Sequence, residues 1–351
     1  MSSSQYVILR MDNFDGFISR LSKLQKLVAP VSKGHNNFAF EEVTSGEEVA
    51  IKYIPTILPP KKYLMPQRET LLEFNVSKGL ESTPVVEHEK TTIFGVHTCD
   101  IAGIQCLNMV FSTRPRDFNY LTRKGRTTII GLECNDYCDE YASCALVNAS
   151  LPNGGYDLFF TDMGEYFIIH VNTQAGEDII EAAKFFEDAN EEQLKALASL
   201  REKKREIFKK EVPIDPRNIP ELFDKSFDSK VWEELGERCL ACGNCTNVCP
   251  TCYCFDVKDE MNLDLKSGKR YRVWDSCQVE PFASVAGNHN FRKERADRQK
   301  HRYYRKFRYP VDKYHRLFCT GCGRCSRTCM AGIRLKDTLN ALINLNTAVG
   351  R

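Results

Sequence analysis

Short apolar runs bounded by polar residues or glycine mark four strands in the first half of the chain. They are TTIFGVH (91–97), TTIIGLE (127–133), YDLFFTD (156–162) and EYFIIHV (165–171). Their β-branched and aromatic residues are typical of buried strands, and Met163-Gly164 is predicted to turn the third strand into the fourth. Because DIAGIQCLNMVF (100–111) has helical spacing after the first strand, residues 1–215 are predicted to form an α/β domain.

Helical periodicity prevails between residues 177 and 212, where the apolar positions predict two helices separated near Ala189-Asn190. The segment VPIDPRNIP (212–220) then carries three prolines in nine residues, a density that breaks helices and indicates a linker. The segments beyond it are charged and compatible with helices, and none has a clear strand pattern. Residues 216–351 are therefore predicted to form a mostly helical, ferredoxin-like domain around whatever its cysteines bind.

The distribution of the cysteines indicates what kind of chemistry the chain supports. None of the sixteen cysteines lies in the first 98 residues, five lie between 99 and 144, and eleven lie between 239 and 329. The net charge of +2 indicates no particular partner. Because no apolar run resembles a signal peptide or a membrane span, we expect a cytosolic chain whose reduced thiols bind metal rather than form disulfides.

Two runs of four cysteines share one spacing, C-x2-C-x2-C-x3-C. This is the run that binds [4Fe–4S] clusters in two-cluster ferredoxins, where the fourth cysteine of each run serves the other cluster. A lone C-x2-C favours zinc, but two tandem runs of identical spacing are much more specific for iron–sulfur. We predict one cluster on Cys239, Cys242, Cys245 and Cys329, and another on Cys319, Cys322, Cys325 and Cys249.

Three further cysteines of the second half, Cys252, Cys254 and Cys277, exceed what two clusters need. They either pack beside a cluster or bind a further centre, and the sequence favours packing.

A predicted strand followed by a cysteine occurs twice in the first half of the chain. If 91–97 and 127–133 lie parallel in one sheet, Cys99 and Cys134 meet beyond the carboxyl ends of these strands, where open α/β sheets bind ligands. With Cys138 and Cys144 they form a candidate third [4Fe–4S] site. The alternative is a set of reduced, partly buried thiols. Cys106 lies on the predicted helix and is expected in the core.

The stretch FRKERADRQKHRYYRKFRY (291–309) holds nine Lys or Arg residues against two acids. We interpret this charge as compensation for the anionic clusters rather than as a nucleic-acid surface. Neither a dinucleotide fingerprint nor a phosphate-binding loop occurs in the sequence, so no flavin or NAD is expected on this chain.

Several long motifs together resemble one family, the iron–sulfur β subunits of cytosolic sulfhydrogenases, to which an anaerobic sulfite reductase component also belongs. They are LPPKKYLMPQRETLLEFN, GVHTCDIAGIQCLNMVF, GGYDLFFTDMGEYFIIHV, CLACGNCTNVCPTCYCFDV, WDSCQVEPFASVAGNHNFR and HRYYRKF. The resemblance covers nearly the whole chain. It implies the eight cluster cysteines, matches Cys252, Cys254 and Cys277, and implies partners, namely a flavin subunit that handles NAD(P)H and a terminal hydrogenase or reductase.

The resulting hypothesis is an iron–sulfur electron-transfer subunit of a cytosolic oxidoreductase complex. A catalytic reductase that binds substrate at an iron–sulfur centre is the second hypothesis. A zinc-stabilised module that binds nucleic acid is the third, and visible absorbance separates it at once because zinc thiolates are colourless.

Overall fold

A computed structural model of the chain describes residues 5–77, 79, 81–86, 89–209 and 211–349. Its strands form an eight-stranded sheet, a four-stranded sheet and a small two-stranded ribbon. The strands are β1 (Tyr6–Arg10), β2 (Lys26–Ser32), β3 (Phe38–Glu42), β4 (Arg68–Asn75), β5 (Glu81–Pro84), β6 (Thr91–His97), β7 (Thr127–Leu132), β8 (Leu158–Asp162), β9 (Tyr166–Val171), β10 (Glu187–Asp188), β11 (Phe255–Met261), β12 (Ser267–Trp274), β13 (Ser284–Val285) and β14 (His289–Asn290).

The large sheet has the order β10-β1-β9-β8-β7-β6-β2-β3. The pairs β2–β6, β6–β7 and β7–β8 are parallel, whereas the outer pairs are antiparallel. The four predicted strands are confirmed as β6 to β9, and the turn at Met163-Gly164 joins β8 to β9 with a φ of 97° at Gly164. Every residue of β6 is buried, which agrees with a sequence that contains no Asp, Glu, Lys or Arg.

Helices pack against this sheet and also occur throughout the second half of the chain. They are α1 (Phe14–Leu24), α2 (Thr98–Phe111), α3 (Phe118–Gly125), α4 (Gln174–Ala183), α5 (Glu191–Ile207), α6 (Ile219–Lys225), α7 (Val231–Arg238), α8 (Asn244–Asn247), α9 (Arg295–Phe307), α10 (Tyr309–Tyr314), α11 (Arg324–Arg327) and α12 (Leu335–Val349). The predicted pair of helices is confirmed as α4 and α5. Asn190 caps α5 in a reciprocal capping box with Gln193, which explains the break at this point.

The second half departs from its prediction, because it contributes the hairpin β11–β12 rather than helices alone. Strand β12 pairs on one side with β11 and on the other with β4 of the first half. Buried Arg272 of β12 bonds Glu69 of β4 with an Nε–Oε2 distance of 2.6 Å. The prediction of a mostly helical second domain is therefore not confirmed, and one sheet spans both halves of the chain.

Two large hydrophobic cores are separate from each other in the described part of the chain. The first packs phenylalanines such as Phe17, Phe94 and Phe160 between α1 and the large sheet. The second surrounds Tyr304 and Phe307 of α9, which stack around Phe223 with ring centroids 5.2 and 5.3 Å away. Aromatic burial of this extent contributes strongly to the stability of each core. The domain limit at 215/216 stays a prediction.

Within the part of the chain that the structure describes, no helix is both long and apolar enough to cross a bilayer.

Candidate metal centres

The two four-cysteine runs fold into loops with the same backbone. Ala241 and Gly321 have φ values of 53° and 65°, and Gly243 and Gly323 have values of 75° and 73°. Each loop leads into a one-turn helix, α8 or α11. The backbone N–H of Ala241 donates to Cys239 Sγ at 3.3 Å, as does that of Gly321 to Cys319 Sγ at 3.5 Å. Such bonds favour the thiolate form that a metal requires.

Two neighbouring cavities gather the eight cysteines in a crossed arrangement. The first cavity is lined by Cys239, Cys242 and Cys245 of the first run and by Cys325 and Cys329 of the second run. The second cavity is lined by Cys319, Cys322 and Cys325 of the second run and by Cys245 and Cys249 of the first run. Each cavity therefore receives the first three cysteines of one run and two cysteines of the other, and one of these two is the fourth cysteine that the spacing assigns to it. The ligand sets of the two clusters stay a prediction.

The two cavities share a wall formed by Cys245, Arg302 and Cys325. Arg302 is buried, and among the described residues no carboxylate lies within ion-pair distance of its guanidinium group. Burial opposes the charge of Arg302, but the sulfur of Cys245 raises its pKa overall. A buried cation without a carboxylate is costly. Anionic clusters in the two cavities would supply the missing negative charge, so the residues present fit this cofactor.

Two of these thiols are hard to ionise without a metal. Burial raises the pKa of Cys245 to about 12 and that of Cys322 to about 11. Iron or zinc binds only the deprotonated sulfur, so metal binding here is coupled to proton release.

Helix α9 turns one basic face toward these sulfurs. Its residues at positions 295, 299, 302 and 306 lie on one side because they follow helical spacing. Arg295 donates to Cys239 O at 2.7 Å and Gln299 Nε2 donates to Cys239 Sγ at 2.9 Å. Farther along, Lys306 Nζ donates to Cys252 Sγ at 3.2 Å. The basic stretch therefore places at least part of its charge at the cysteine sites.

Two of the three surplus cysteines of the second half, Cys252 and Cys277, bond residues that line the cavities. Cys252 bonds Lys306, whose pKa is lowered by burial but raised overall by the sulfurs of Cys249 and Cys252. The buried ammonium group of Lys61 donates to Cys252 O at 2.7 Å, and burial lowers the pKa of Lys61 to about 8. Cys277 is buried and accepts a hydrogen bond from Gln278 Nε2 at 3.5 Å. These contacts are those of thiols packed next to a charged centre.

A third group of donors lies in a crevice at the carboxyl ends of β6 and β7. The two strands are parallel, as the prediction required. Here His97, Cys134 and Cys138 place one ligand atom each within 4.8 Å of one another. Cys99 is buried in the first turn of α2, and neither it nor Cys144 belongs to this close group. His97 was missed because it ends an apolar strand; its position just before Thr98-Cys99 was the available signal.

The segment that carries Cys138 and Cys144 packs directly on the second run. Ser143 N–H donates to Gly321 O at 2.7 Å, and a Cβ on Gly321 would come within 2.2 Å of Ser143 O. Behind this contact, Arg324 makes a doubly hydrogen-bonded ion pair with Asp100 of α2, at 2.6 and 2.7 Å. The crevice at the sheet and the second cavity are therefore joined by rigid, buried contacts.

Comparison with known proteins agrees with this geometry. Residues 238–333 match the family model of a 4Fe-4S dicluster domain, which spans both cysteine runs. The chain is 36% identical over 330 residues to the sulfhydrogenase 2 subunit beta of Pyrococcus furiosus. That alignment covers 94% of this chain and 96% of the relative. The prediction of an iron–sulfur protein of the [4Fe–4S] type is confirmed.

Proposed function

Because the chain belongs to the sulfhydrogenase β-subunit family, we propose that it is the electron-transfer subunit of a multi-subunit oxidoreductase complex. In this proposal it relays electrons between a flavin subunit that handles NAD(P)H and a terminal hydrogenase or reductase. The [4Fe–4S] clusters, when bound, take up and release single electrons. The protein holds them, covers them and adjusts their potentials.

The observation that carries this proposal is the pair of cavities with a common wall. Cys245 and Cys325 line both, so two clusters held there would be immediate neighbours. The first cavity also reaches the surface, where Cys242 is exposed and Met330 is 86% exposed. A buried site that leads to an exposed one is the arrangement expected of a relay that passes electrons to a docked partner.

We assign the ligands of the first cluster to Cys239, Cys242, Cys245 and Cys329, and those of the second to Cys319, Cys322, Cys325 and Cys249. Cys252, Cys254 and Cys277 pack beside the clusters without binding a metal in this proposal. A cytosolic location agrees with sixteen cysteines that are all free in the structure.

The relay hypothesis predicts that the isolated chain does not turn over substrate. Because no flavin site is proposed on it, purified cluster-loaded protein should oxidise NADH and NADPH no faster than the buffer does. Adding the flavin subunit together with NAD(P)H should reduce the clusters and bleach their visible absorbance. NAD(P)H oxidation by the flavin-free chain would contradict the proposal, and sulfite or proton reduction by the chain with an artificial donor would favour a catalytic reductase.

Arg302→Met is expected to make the reduction potentials of both clusters more negative. The substitution removes a positive charge from the shared wall, so each added electron is less well stabilised. A redox titration followed by electron paramagnetic resonance measures the two midpoints.

Lys300→Met is the matched control, because it removes one charge from the same helix but from a side chain that lies over the Phe227 ring at 4.2 Å. Its midpoints should stay near those of the parent. Equal shifts in the two variants would show that Arg302 acts only through the overall charge of the protein.

A further inference from the structure

The donors at the sheet crevice are spaced for one metal ion. Zinc bonds of about 2.0–2.3 Å place tetrahedral ligand atoms about 3.3–3.8 Å apart. Cys138 Sγ and His97 Nδ1 are 3.9 Å apart, and the donor atoms of His97, Cys134 and Cys138 all lie within 4.8 Å of one another. A cubane needs wider spacing, because each of its cysteines binds a different iron.

The eight cysteines of the two four-cysteine runs provide an internal comparison. Among the residues that the structure describes, no three of these eight come as close together as the crevice group does. The same chain thus holds two kinds of sulfur site, a wide kind at the paired cavities and a narrow kind at the crevice. The donor sets also differ, since only the narrow site includes an imidazole.

Local contacts hold the three donors in place. The ring of His97 stacks on Tyr53 with centroids 3.9 Å apart, and Tyr53 Oη donates to Gly95 O at 2.6 Å. Thr98 Oγ1, at the start of α2, lies 3.8 Å from Cys134 Sγ. A ring held by stacking keeps its nitrogen aimed, which is the support that metal-binding histidines need.

The group opens on a cavity of about 370 Å³ that Tyr53, Asn135 and Asp136 also line. The Oδ1 atom of Asn135 is buried and has no hydrogen-bond partner among the described residues. Three protein donors beside an open cavity correspond to zinc sites that keep a fourth position for a water or another small ligand.

We propose that His97, Cys134 and Cys138 bind a single zinc ion whose fourth position faces this cavity. Two thiolates and one imidazole are ligands that zinc favours. The ion fastens Cys138 at the start of the segment that continues to Ser143, whose N–H bonds Gly321 O at 2.7 Å. It thereby holds in place the segment that covers the second four-cysteine loop.

Metal analysis of the full-length protein, purified without oxygen, tests the proposal. We expect about one zinc beside about eight irons per chain. The zinc X-ray absorption spectrum should show two sulfur ligands and two lighter ones. About twelve irons without zinc would overturn the proposal in favour of a third cluster, and three sulfur ligands would refute the open position.

Variants separate the site from the clusters. Cys138→Ser should lose the zinc, keep the eight irons and speed amide exchange at Ser143. His97→Gln should lose the zinc too, and Cys138→Ser covers the case in which His97→Gln fails to fold. Cys144→Ser is the matched control and should keep the zinc. Zinc retained in Cys138→Ser would refute the assignment of the zinc ligands. Loss of the eight irons with the zinc retained would contradict the proposed cluster ligands and would not bear on the zinc site.

Discussion

Cys329→Ala is expected to abolish the same cluster signal as Cys242→Ala, although Cys329 belongs to the other run. Cys329 and Cys242 line the first cavity together, and removing either leaves that cluster with three of its four ligands. By the same logic, Cys249→Ala should match Cys322→Ala, since both residues line the second cavity. Electron paramagnetic resonance of the reduced proteins, together with iron analysis, identifies which cluster each variant lacks.

The pairing of the four variants decides the ligation. If Cys329→Ala instead resembled Cys322→Ala, each run would bind its own cluster and the crossed assignment would be wrong. Cys106→Ala serves as the control, because Cys106 is a buried thiol of α2 outside both cavities. Its iron content should remain at about eight per chain.

Asp100→Ala should lower the free energy of unfolding by about 3–5 kcal/mol. The Asp100 and Arg324 side chains are 1% and 0% exposed, so the variant leaves a guanidinium group buried without its counter-ion. Arg324 is also the residue before Cys325, and its loss of anchoring should weaken the second cluster. Urea unfolding of the cluster-loaded protein, followed by circular dichroism, gives the change.

A surface pair of the same chemistry provides the comparison. Arg270 and Asp259 also make two hydrogen bonds, both of 2.7 Å, but their side chains are 48% and 50% exposed. Asp259→Ala should therefore cost no more than about 1 kcal/mol. If Asp100→Ala and Asp259→Ala lowered the free energy of unfolding by similar amounts, the buried pair would not be an anchor between the two halves of the chain.

The sequence predicted the elements whose pattern follows from their own burial. Strands β6 to β9 are apolar along most of their length, and the helix pair carries its own caps, so local signals suffice. The hairpin β11–β12 was missed because its first strand, FDVKDEM, is almost entirely exposed and shows no apolar face. Its pairing depends on β4, about 200 residues away in sequence, and such contacts leave no local pattern.

The candidate site also has features that local sequence patterns predict and features that depend on packing between distant residues. The spacing of the cysteines indicates an iron–sulfur protein of the [4Fe–4S] type, because a fixed ligand spacing reflects a fixed cofactor shape, whereas the assignment of the eight ligands stays a prediction. The roles of Arg302 and His97 were not predicted. Arg302 is one of nine basic residues in its stretch, and only packing distinguishes it from its solvated neighbours. His97 looked like a core residue, since nothing in the sequence shows that Cys138 folds back to it.

Because β12 pairs with β4, the cluster-binding half cannot be transferred to another protein by itself. Trp274 at the end of β12 donates to Met65 O at 3.0 Å, and Phe255 and Trp274 pack against the core of the first half. Fusing residues 216–351 to another protein would expose both aromatic rings to solvent and leave one edge of β12 unpaired. An unpaired strand edge promotes aggregation. Exchange of redox modules within this family therefore has to carry β4 along with the cysteines.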